Sequence, residues 1–528
     1  MRRFHLPSVM AVVLANVLSG CMTGPDFVPP KNEQLPTAFS RPELMQTQTV
    51  IADPNAPDAE LQAEIMRWWE VFEDPVLNRI MSAAVENNWD VLIATQRIEQ
   101  ARAQAVNVRS QLFPQLSLQP SVTREQFGTT NATTGFLALQ NLGLVPINAT
   151  WEPDVFGSIK RSTESQVARV RAAEENRRNV LVSLTAELAS YYSNLRMAQA
   201  QIEYTEQAIQ AAKRRLELTR VLLSKGIDSD LNLAQFEQAY ELQLSQLPPL
   251  RVQRDWAMYQ CAFLAGGFPL DLQATLVKPG QPLLTKKSLP TALPSQMLRN
   301  RPDIRQAEQV LAASTANIGV AEAAFMPNFS IPLGAGFNST TLGLLFNPAS
   351  FIWNIGANLT QPLFTGGQLQ AGLALANATR EQDRLAYEKA VRSAVTDVEK
   401  ALTGFDNYRN QRGKLQSTVE AQQQVFVNNE VLFKVGIQPE FQYLQSLITL
   451  NGNRISLVQA QNNEAVQLIS LYKALGGGWQ WEVPVSRDPV DDGMTTPGTI
   501  RQILDDNLGT SLSSEKQMKA TFNTTRAE

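Results

Sequence analysis

The sequence predicts an α+β membrane protein in which very long helices continue from amphipathic β-strands. Three observations lead to this prediction: a short apolar N-terminal segment that ends at a cysteine, a unit that occurs twice, and strands within that unit that alternate apolar and polar residues. The composition is that of a folded chain, with 44% hydrophobic and 18% charged residues among 528 and a formal charge of -4. We therefore expect no nucleic-acid partner.

Side chains that carry most enzyme chemistry are nearly absent. The only histidine is His5, and the only cysteines are Cys21 and Cys261. Because histidine and cysteine supply the common general base, thiol nucleophile and zinc ligands, we expect no enzyme, no metal site and no cofactor. We expect Cys261 to be a buried, inert thiol.

The N-terminus has the features of a signal peptide. A basic pair precedes the apolar run at residues 9–18, which is too short to span a bilayer. The Leu-Ser-Gly-Cys sequence that follows resembles a bacterial lipobox, so we expect cleavage before Cys21 and acyl chains on that residue. A chance cysteine beside an ordinary cleavage site is the alternative. No run of about 18 apolar residues follows, so we expect any membrane span to consist of strands.

A unit of about 210 residues occurs twice. Four residues recur at a constant offset of 213: Asp90, Ala94, Ile98 and Pro114 match Asp303, Ala307, Leu311 and Pro327. An apolar ladder with a seven-residue period runs from Leu181 to Leu223, and an offset of 210 matches it to Val391–Phe433, with Arg412 as the one break. We divide the chain into a signal peptide (1–20), a lipidated N-terminal segment (21–74), a first repeat (75–250), a connection (251–287), a second repeat (288–475) and a C-terminal tail (476–528).

Each repeat is predicted to contain a helix, two strands, a long helix and a returning helix. In the first repeat, residues near 75–112 have helical spacing, and Pro114 ends that helix. Period-two alternation predicts four strands per chain, at about 116–122, 145–151, 329–337 and 351–359. No proline occurs from about 366 to 434, and a helix of that length rises roughly 100 Å. The seven-residue period predicts supercoiling against neighbouring helices.

The number of strands predicts an oligomer. Four strands cannot close a membrane barrel, because the smallest such barrels have about eight and an open edge in lipid leaves backbone groups unpaired. Two chains would supply eight strands and a filled interior, whereas three would supply twelve and leave a bore. We therefore expect an obligatory homotrimer. An elongated soluble coiled coil would have the same ladders but would leave the strands unexplained.

Several motifs resemble the outer-membrane efflux channel family, the TolC-like and OprM/NodT-type lipoproteins of tripartite pumps. They are Gly20–Phe27, the tryptophan-pair segment Arg67–Leu77, and Asn300–Ile304 with Ala307-Glu308, Ile318-Gly319 and Met326-Pro327. The resemblance covers residues 21 to about 483. It implies a trimeric 12-stranded β-barrel in the outer membrane that is continuous with a twelve-helix periplasmic tunnel.

The same resemblance implies a function. The chain would be the exit duct of a tripartite efflux system, a passive gated channel that exports drugs or other small molecules. Its partners would be a periplasmic adaptor (membrane fusion) protein and an inner-membrane transporter, and the lipobox favours one of the resistance-nodulation-division type. Met22 after the cysteine favours the cell outer membrane over inner-membrane retention. The alternatives are a type I protein secretion duct and, in another class, a structural or adhesive trimeric envelope lipoprotein.

The motif residues have structural interpretations first. Trp68 and Trp69 are expected to pack in a core rather than to bind a partner. Arg301 and Asp303 flank Pro302, a pattern typical of the first turn of a helix, where an acidic residue is favoured.

The closed gate is expected at the tips of the two helical hairpins, where Gly226 and Gly436 would end the long helices with left-handed backbone. In the family resembled here, carboxylates on the returning helix of the second repeat ring the pore entrance, and the matching positions are Gln442 and Gln445. Amides carry no charge for divalent cations, so we expect a weak response to those ions and to pH. The alternative ring residues are Asp228, Asp230 and Glu440. A plain helix turn without a gating role is a further alternative.

Overall fold

A computed structural model describes residues 22–30, Pro36, Phe39 and residues 65–126, 139–284 and 300–479. The signal peptide, the predicted lipidation site Cys21 and the tail beyond residue 479 lie outside the described residues.

The described residues form eight α-helices and six strand segments. The helices are α1 Pro75–Asn87, α2 Trp89–Ser110, α3 Ser158–Ser224, α4 Asp230–Leu264, α5 Gln273–Leu276, α6 Pro302–Ala323, α7 Gln368–Lys434 and α8 Glu440–Ala474. The strand segments are β1 Gln115–Leu118, β2 Ser121–Gln126, β3 Leu139–Trp151, β4 Asn328–Ser339, β5 Phe351–Ile355 and β6 Asn358–Thr360. No helix in these ranges is long and apolar enough to cross a membrane.

The long helices come in two pairs of equal length. α3 and α7 have 67 residues each, and α4 and α8 have 35 each. At 1.5 Å per residue, α3 and α7 are roughly 100 Å long. The four helices lie side by side in the order α4, α3, α8, α7, because α3 packs against both α4 and α8 while α8 also packs against α7.

The residues expected to be helical near 75–112 form two helices, α1 and α2, and the break between them was not predicted. Asn88 has an extended backbone between α1 and α2, and its side-chain oxygen accepts hydrogen bonds from the backbone N–H groups of Asp90 and Val91. The Asn88 amide also donates to the carbonyl of Leu264, at 2.9 Å. A cap of this kind begins a new helix.

α4 does not end at residue 250, where the sequence placed the end of the first repeat. It includes Pro248 and Pro249 and continues to Leu264. A proline inside a helix costs about 3 kcal/mol. The turns beyond it bury Met258 and Cys261 in the core, and we attribute the continuation to that packing.

All strand pairs are antiparallel. β1 and β2 both pair with β3, β3 pairs with β4, and β4 pairs with β5 and β6. The six segments therefore form four adjacent antiparallel strands, which we call runs. The first run is β1 and β2, interrupted at Gln119-Pro120, and the last is β5 and β6, interrupted at Gly356-Ala357. Pro120 has no N–H to donate to the ladder. Among the described residues, the outer edges of the first and last runs pair with no further strand.

The core lies midway along the helices and contains the predicted ladder. Leu181, Leu188 and Leu195 of α3 are fully buried. In α7 the corresponding ladder is interrupted at Arg412, whose guanidinium pairs with the buried carboxylate of Glu464 on α8. The polar break is therefore compensated by an ion pair to the adjacent helix.

The tryptophan-pair segment packs against the end of α8 and the glycines that follow it. Trp68 is 1% exposed and stacks on Tyr472 of α8, with ring centroids 5.3 Å apart. The backbone of Gly477 and Gly478 runs so close to this segment that a Cβ on Gly477 would lie 2.8 Å from the Ile65 carbonyl oxygen. Arg301 donates to the last carbonyl of α8, that of Ala474, at 3.0 Å.

We expect Trp68→Ala to destabilise the protein, because it leaves a cavity in this junction. Loss of a buried tryptophan costs about 3–5 kcal/mol. Thermal unfolding in detergent should show a lower midpoint for Trp68→Ala, whereas Trp89→Ala, which removes a tryptophan that is 61% exposed, should stay near wild type. Equal midpoints for the two variants would contradict the packing role of Trp68.

Candidate functional site

The tip of the first hairpin is a short turn after α3. Gly226 has a φ of 70°, and the N–H of Ile227 donates to the Leu222 carbonyl at 3.0 Å. This is the hydrogen-bond pattern with which a left-handed glycine closes a helix. Ser229 then caps α4 by accepting from the Asn232 N–H at 3.3 Å.

The tip of the second hairpin has the same geometry. Gly436 has a φ of 76°, and the N–H of Ile437 donates to the Leu432 carbonyl at 2.9 Å. Pro439 precedes the first turn of α8, where its fixed φ suits the chain entering a helix. Both tips therefore expose an isoleucine: Ile227 is 72% exposed and Ile437 is 71% exposed.

Two adjacent arginines of α3 connect the hairpins near these tips. Arg214 makes a bidentate ion pair with Glu440, with nitrogen–oxygen distances of 2.8 and 3.1 Å. Arg215 donates to the side-chain oxygen of Gln445. The first turns of α8 are thus bound to α3 of the other hairpin.

Aromatic rings surround Arg215 from both hairpins. Its guanidinium lies 4.5 Å from the ring centroid of Phe236 on α4 and 5.5 Å from that of Phe441 on α8. The two rings meet edge to face at 5.3 Å. Burial lowers the pKa of Arg215, and its Nε has no hydrogen-bond partner. The faces of the two aromatic rings stabilise the guanidinium charge and so partly replace the water that this group loses on burial.

The structure distributes the predicted gate residues over different environments. Glu440 is paired with Arg214, and Gln445 is bonded to Arg215. Gln442 is exposed on α8. Asp228 accepts from the side chain of Asn232 at 2.7 Å, and Asp230 occupies the exposed first turn of α4. Of the three candidate ring residues on α8, Glu440 and Gln445 are therefore bound to arginines of α3, and Gln442 is exposed.

Sequence reasoning missed Arg214, Arg215, Phe236 and Phe441. The one available signal was the Lys213-Arg214-Arg215 run beside the apolar ladder. A basic run on a long helix usually marks a solvated face. The partner helix cannot be identified from that run, because the contact joins residues more than 200 positions apart.

A second polar site holds the start of the described chain, beside the junction of helices and sheet. Arg161 of α3 is 3% exposed and donates to the carbonyls of Thr23 and Gly24, at 2.9 and 3.1 Å. It also pairs with Asp26 at 2.8 Å. A Cβ on Gly24 would lie 2.3 Å from the Cα of Gly319 in α6, so the two backbones touch. We call Arg161 and Gly319 the N-terminal socket.

Comparisons with known proteins agree with this architecture. Residues 80–267 and 293–477 match the family described as outer membrane efflux protein. The chain is 28% identical over 471 residues to a probable efflux pump outer membrane protein, TtgC, of Pseudomonas putida, covering 88% of this chain and 94% of that one. It is 30% identical over 467 residues to the cation efflux system protein CusC of Escherichia coli, covering 88% and 98%. The solved outer-membrane channel OprN superposes with a TM-score of 0.75 at 26% identity, over 87% and 100% of the chains.

Proposed function

Because the chain belongs to the outer membrane efflux protein family, we propose that it is the exit duct of a tripartite efflux system, a passive gated channel for drugs or other small molecules. The protein lies in the outer membrane and extends into the periplasm. The observation that carries the proposal is the continuity of an amphipathic sheet with helices of roughly 100 Å, long enough to reach far from a membrane about 30 Å thick. No energy source is proposed for the channel itself.

The assembly we propose is a homotrimer. Twelve strands would form the barrel and twelve long helices the tunnel, with each chain contributing a duplicated unit. The unpaired outer edges of the sheet support this, since backbone groups in lipid require partners. The exposed apolar side chains of the outermost helices also support it, among them Trp256 on α4 and Leu375 on α7.

The proposed partners are a periplasmic adaptor protein and an inner-membrane transporter, of the resistance-nodulation-division type. Exposed Ile227 and Ile437 at the hairpin tips support adaptor docking there, because large apolar side chains at a protein's end favour contact with another protein. The cargo would be selected by the transporter, since a wide aqueous duct selects little.

The test of the function is deletion of the gene followed by profiling against drugs, dyes, metals and bile salts. We expect increased sensitivity to several small molecules, restored by the wild-type gene. Unchanged sensitivity to the whole panel, with loss of one exported protein, would favour a type I secretion duct.

Mild cross-linking of the detergent-solubilised protein should saturate at three chains. A monodisperse monomer with an intact sheet would exclude the assembly.

The gate we propose lies at the tips, and Arg215 keeps it closed. Its hydrogen bond to Gln445 and its contact with Phe441 hold the second hairpin against the first, and Phe236 of the first hairpin packs on both Arg215 and Phe441. Moving α8 outward would break these contacts. Closure would therefore be set by contacts between hairpins as well as by side chains that line the pore.

We expect Arg215→Ala to open the channel. A half-buried cation–π contact contributes about 1 kcal/mol per chain, so three chains would shift the open-to-closed ratio on the order of 100-fold. The measurement is single-channel conductance in planar bilayers. Arg220→Ala is the matched control, because Arg220 pairs with Glu237 inside the first hairpin, at 2.9 Å. Equal effects of the two variants would argue against Arg215 as the link.

The gate residue that we propose to face the pore is Gln442. Gln442 and Gln445 are both exposed, but Gln445, like Glu440, is bound to an arginine. Gln442→Asp should create three carboxylates in the trimer and make conductance sensitive to millimolar divalent cations applied from the periplasmic side. Gln445→Asp should change it less, because Arg215 would neutralise the new charge. Strong block of the wild-type channel would instead indicate Asp228 or Asp230 as the ring.

We propose that Cys21 carries lipid and that the N-terminal socket sets the position of the anchor. Thr23 is two residues from Cys21, and two extended residues span at most about 7 Å. The anchor would therefore stay close to the boundary between sheet and helices. Two or more acyl chains give stable membrane attachment.

Cys21→Ala should lower the yield of mature protein more than its residence in the outer membrane, because the proposed barrel is itself a membrane span. Intact-mass measurement of wild type should show a cleaved chain with acyl chains on Cys21. An unmodified Cys21 or a retained signal peptide would refute the lipid anchor.

A further inference from the structure

The two faces of the sheet differ in polarity. Residues that lie opposite one another on neighbouring strands form rows across all four runs. One row places Leu116, Ala149, Leu333 and Ile355 opposite one another. The adjacent row places Ser117, Asn148, Gly334 and Asn354 opposite one another. Because neighbouring rows point to opposite faces, one face is apolar and the other polar or small. In an outer-membrane protein, the apolar face is the one that contacts lipid.

The connection between β4 and β5, residues 340–350, folds onto the apolar face. Gly143 lies on that face, since it alternates with Val145 and Ile147. A Cβ on Gly143 would lie 2.9 Å from a methyl of Leu342 and 3.4 Å from one of Leu345. Phe346 meets Phe337 edge to face, with centroids 5.6 Å apart.

Phe337 itself belongs to the apolar face. It lies opposite Val145 on one side and Phe351 on the other, and its ring is 5.8 Å from that of Phe351. The loop contacts therefore come from two neighbouring strands of the same face.

Local hydrogen bonds fix the loop in this position. The Ser350 hydroxyl donates to the Leu344 carbonyl at 2.8 Å, and the Asn347 side chain accepts from the Ala349 N–H at 2.9 Å. Leu345 is 8% exposed and attaches the loop to the sheet. Three other apolar side chains of the loop keep much of their surface exposed: Leu342, Leu344 and Phe346 are 50%, 53% and 71% exposed.

We infer that residues 340–350 form a membrane-embedded loop, whose exposed leucines and phenylalanine contact the acyl chains of the surrounding lipid. The inference rests on the proposed function, in which the apolar face of the sheet contacts lipid. The segment contains no charged residue, and its apolar side chains continue the apolar face. Burying them in hydrocarbon is favourable, because it removes apolar surface from water. From this position the loop widens the lipid-facing surface and does not cover the mouth of the pore.

Lipid accounts for this surface better than a second copy of the chain. A neighbouring chain would pair at the outer edges of the sheet, along β1 and β2 or β5 and β6. The loop instead covers β3 and packs on β4, the two central runs. Its exposed side chains are consequently displaced from the edges where chains would join.

The test uses a fluorescent thiol label on single cysteines in the full-length protein, reconstituted into phospholipid vesicles. Phe346→Cys reports on the loop, Trp353→Cys on the apolar face of the sheet, and Asn354→Cys on the opposite face. Burial raises the pKa of Cys261 to about 12, so this thiol stays protonated and unreactive at neutral pH. Wild-type protein treated identically gives the background from any other thiol.

Two quenchers then distinguish the possible surroundings. We expect nitroxide-labelled lipid to quench Phe346→Cys as strongly as Trp353→Cys, and aqueous iodide to quench Asn354→Cys. Quenching of Phe346→Cys by iodide alone would place the loop in water and overturn the inference. Quenching by neither would indicate that protein covers it, which also overturns the inference. If lipid fails to quench Trp353→Cys too, the proposed orientation of the sheet is wrong, which is a separate failure.

Discussion

The need to pair backbone hydrogen bonds in a medium without water is the constraint on which the rest of this structure depends. The four-run sheet satisfies its inner runs and leaves two edges. A chain that folds in this way is incomplete in lipid. The same need extends along the helices, because in the row of long described helices α4 packs against α3 and α7 against α8, which leaves each at an end of the row. Sheet and helices therefore have the same need for further neighbours, and the proposed trimer would supply them for both.

The contacts that join the two repeats differ in kind between the middle of the long helices and the hairpin tips. Midway along the helices, the junction is aromatic and tightly packed, with Trp68 on Tyr472 and glycine backbone against Ile65. Near the tips the connection is polar and more exposed, through Arg214, Arg215 and the start of α8. Contacts of the first kind are costly to break, and exposed ion pairs contribute little individually. From this difference in packing we expect the tips to move more easily than the middle.

The sequence was most informative where a local pattern determines the structure. The seven-residue ladder around Leu188 and the absence of proline predicted the long helices, and period-two alternation predicted the strands. Family membership and outer-membrane location were likewise predicted correctly. The errors came from contacts between distant residues. Asn88 begins a new helix partly through its bond to Leu264, and α4 continues past Pro249 where distant side chains bury its end. Likewise, the role of Arg215 between the hairpins is visible only from its contacts with Phe236, Phe441 and Gln445, which its position in the sequence of α3 does not indicate.

The equal lengths of α3 and α7 restrict how such a chain can change in size. Both hairpins descend from one sheet and must end at the same level for their tips to remain linked. Removing one heptad from α3 alone would raise its tip by about 10 Å and separate Arg214 from Glu440. We therefore expect a shorter or longer relative to lose or gain matching turns in all four long helices. Insertions and deletions in these helices would then be coupled, and the length of the proposed tunnel would change in matched steps.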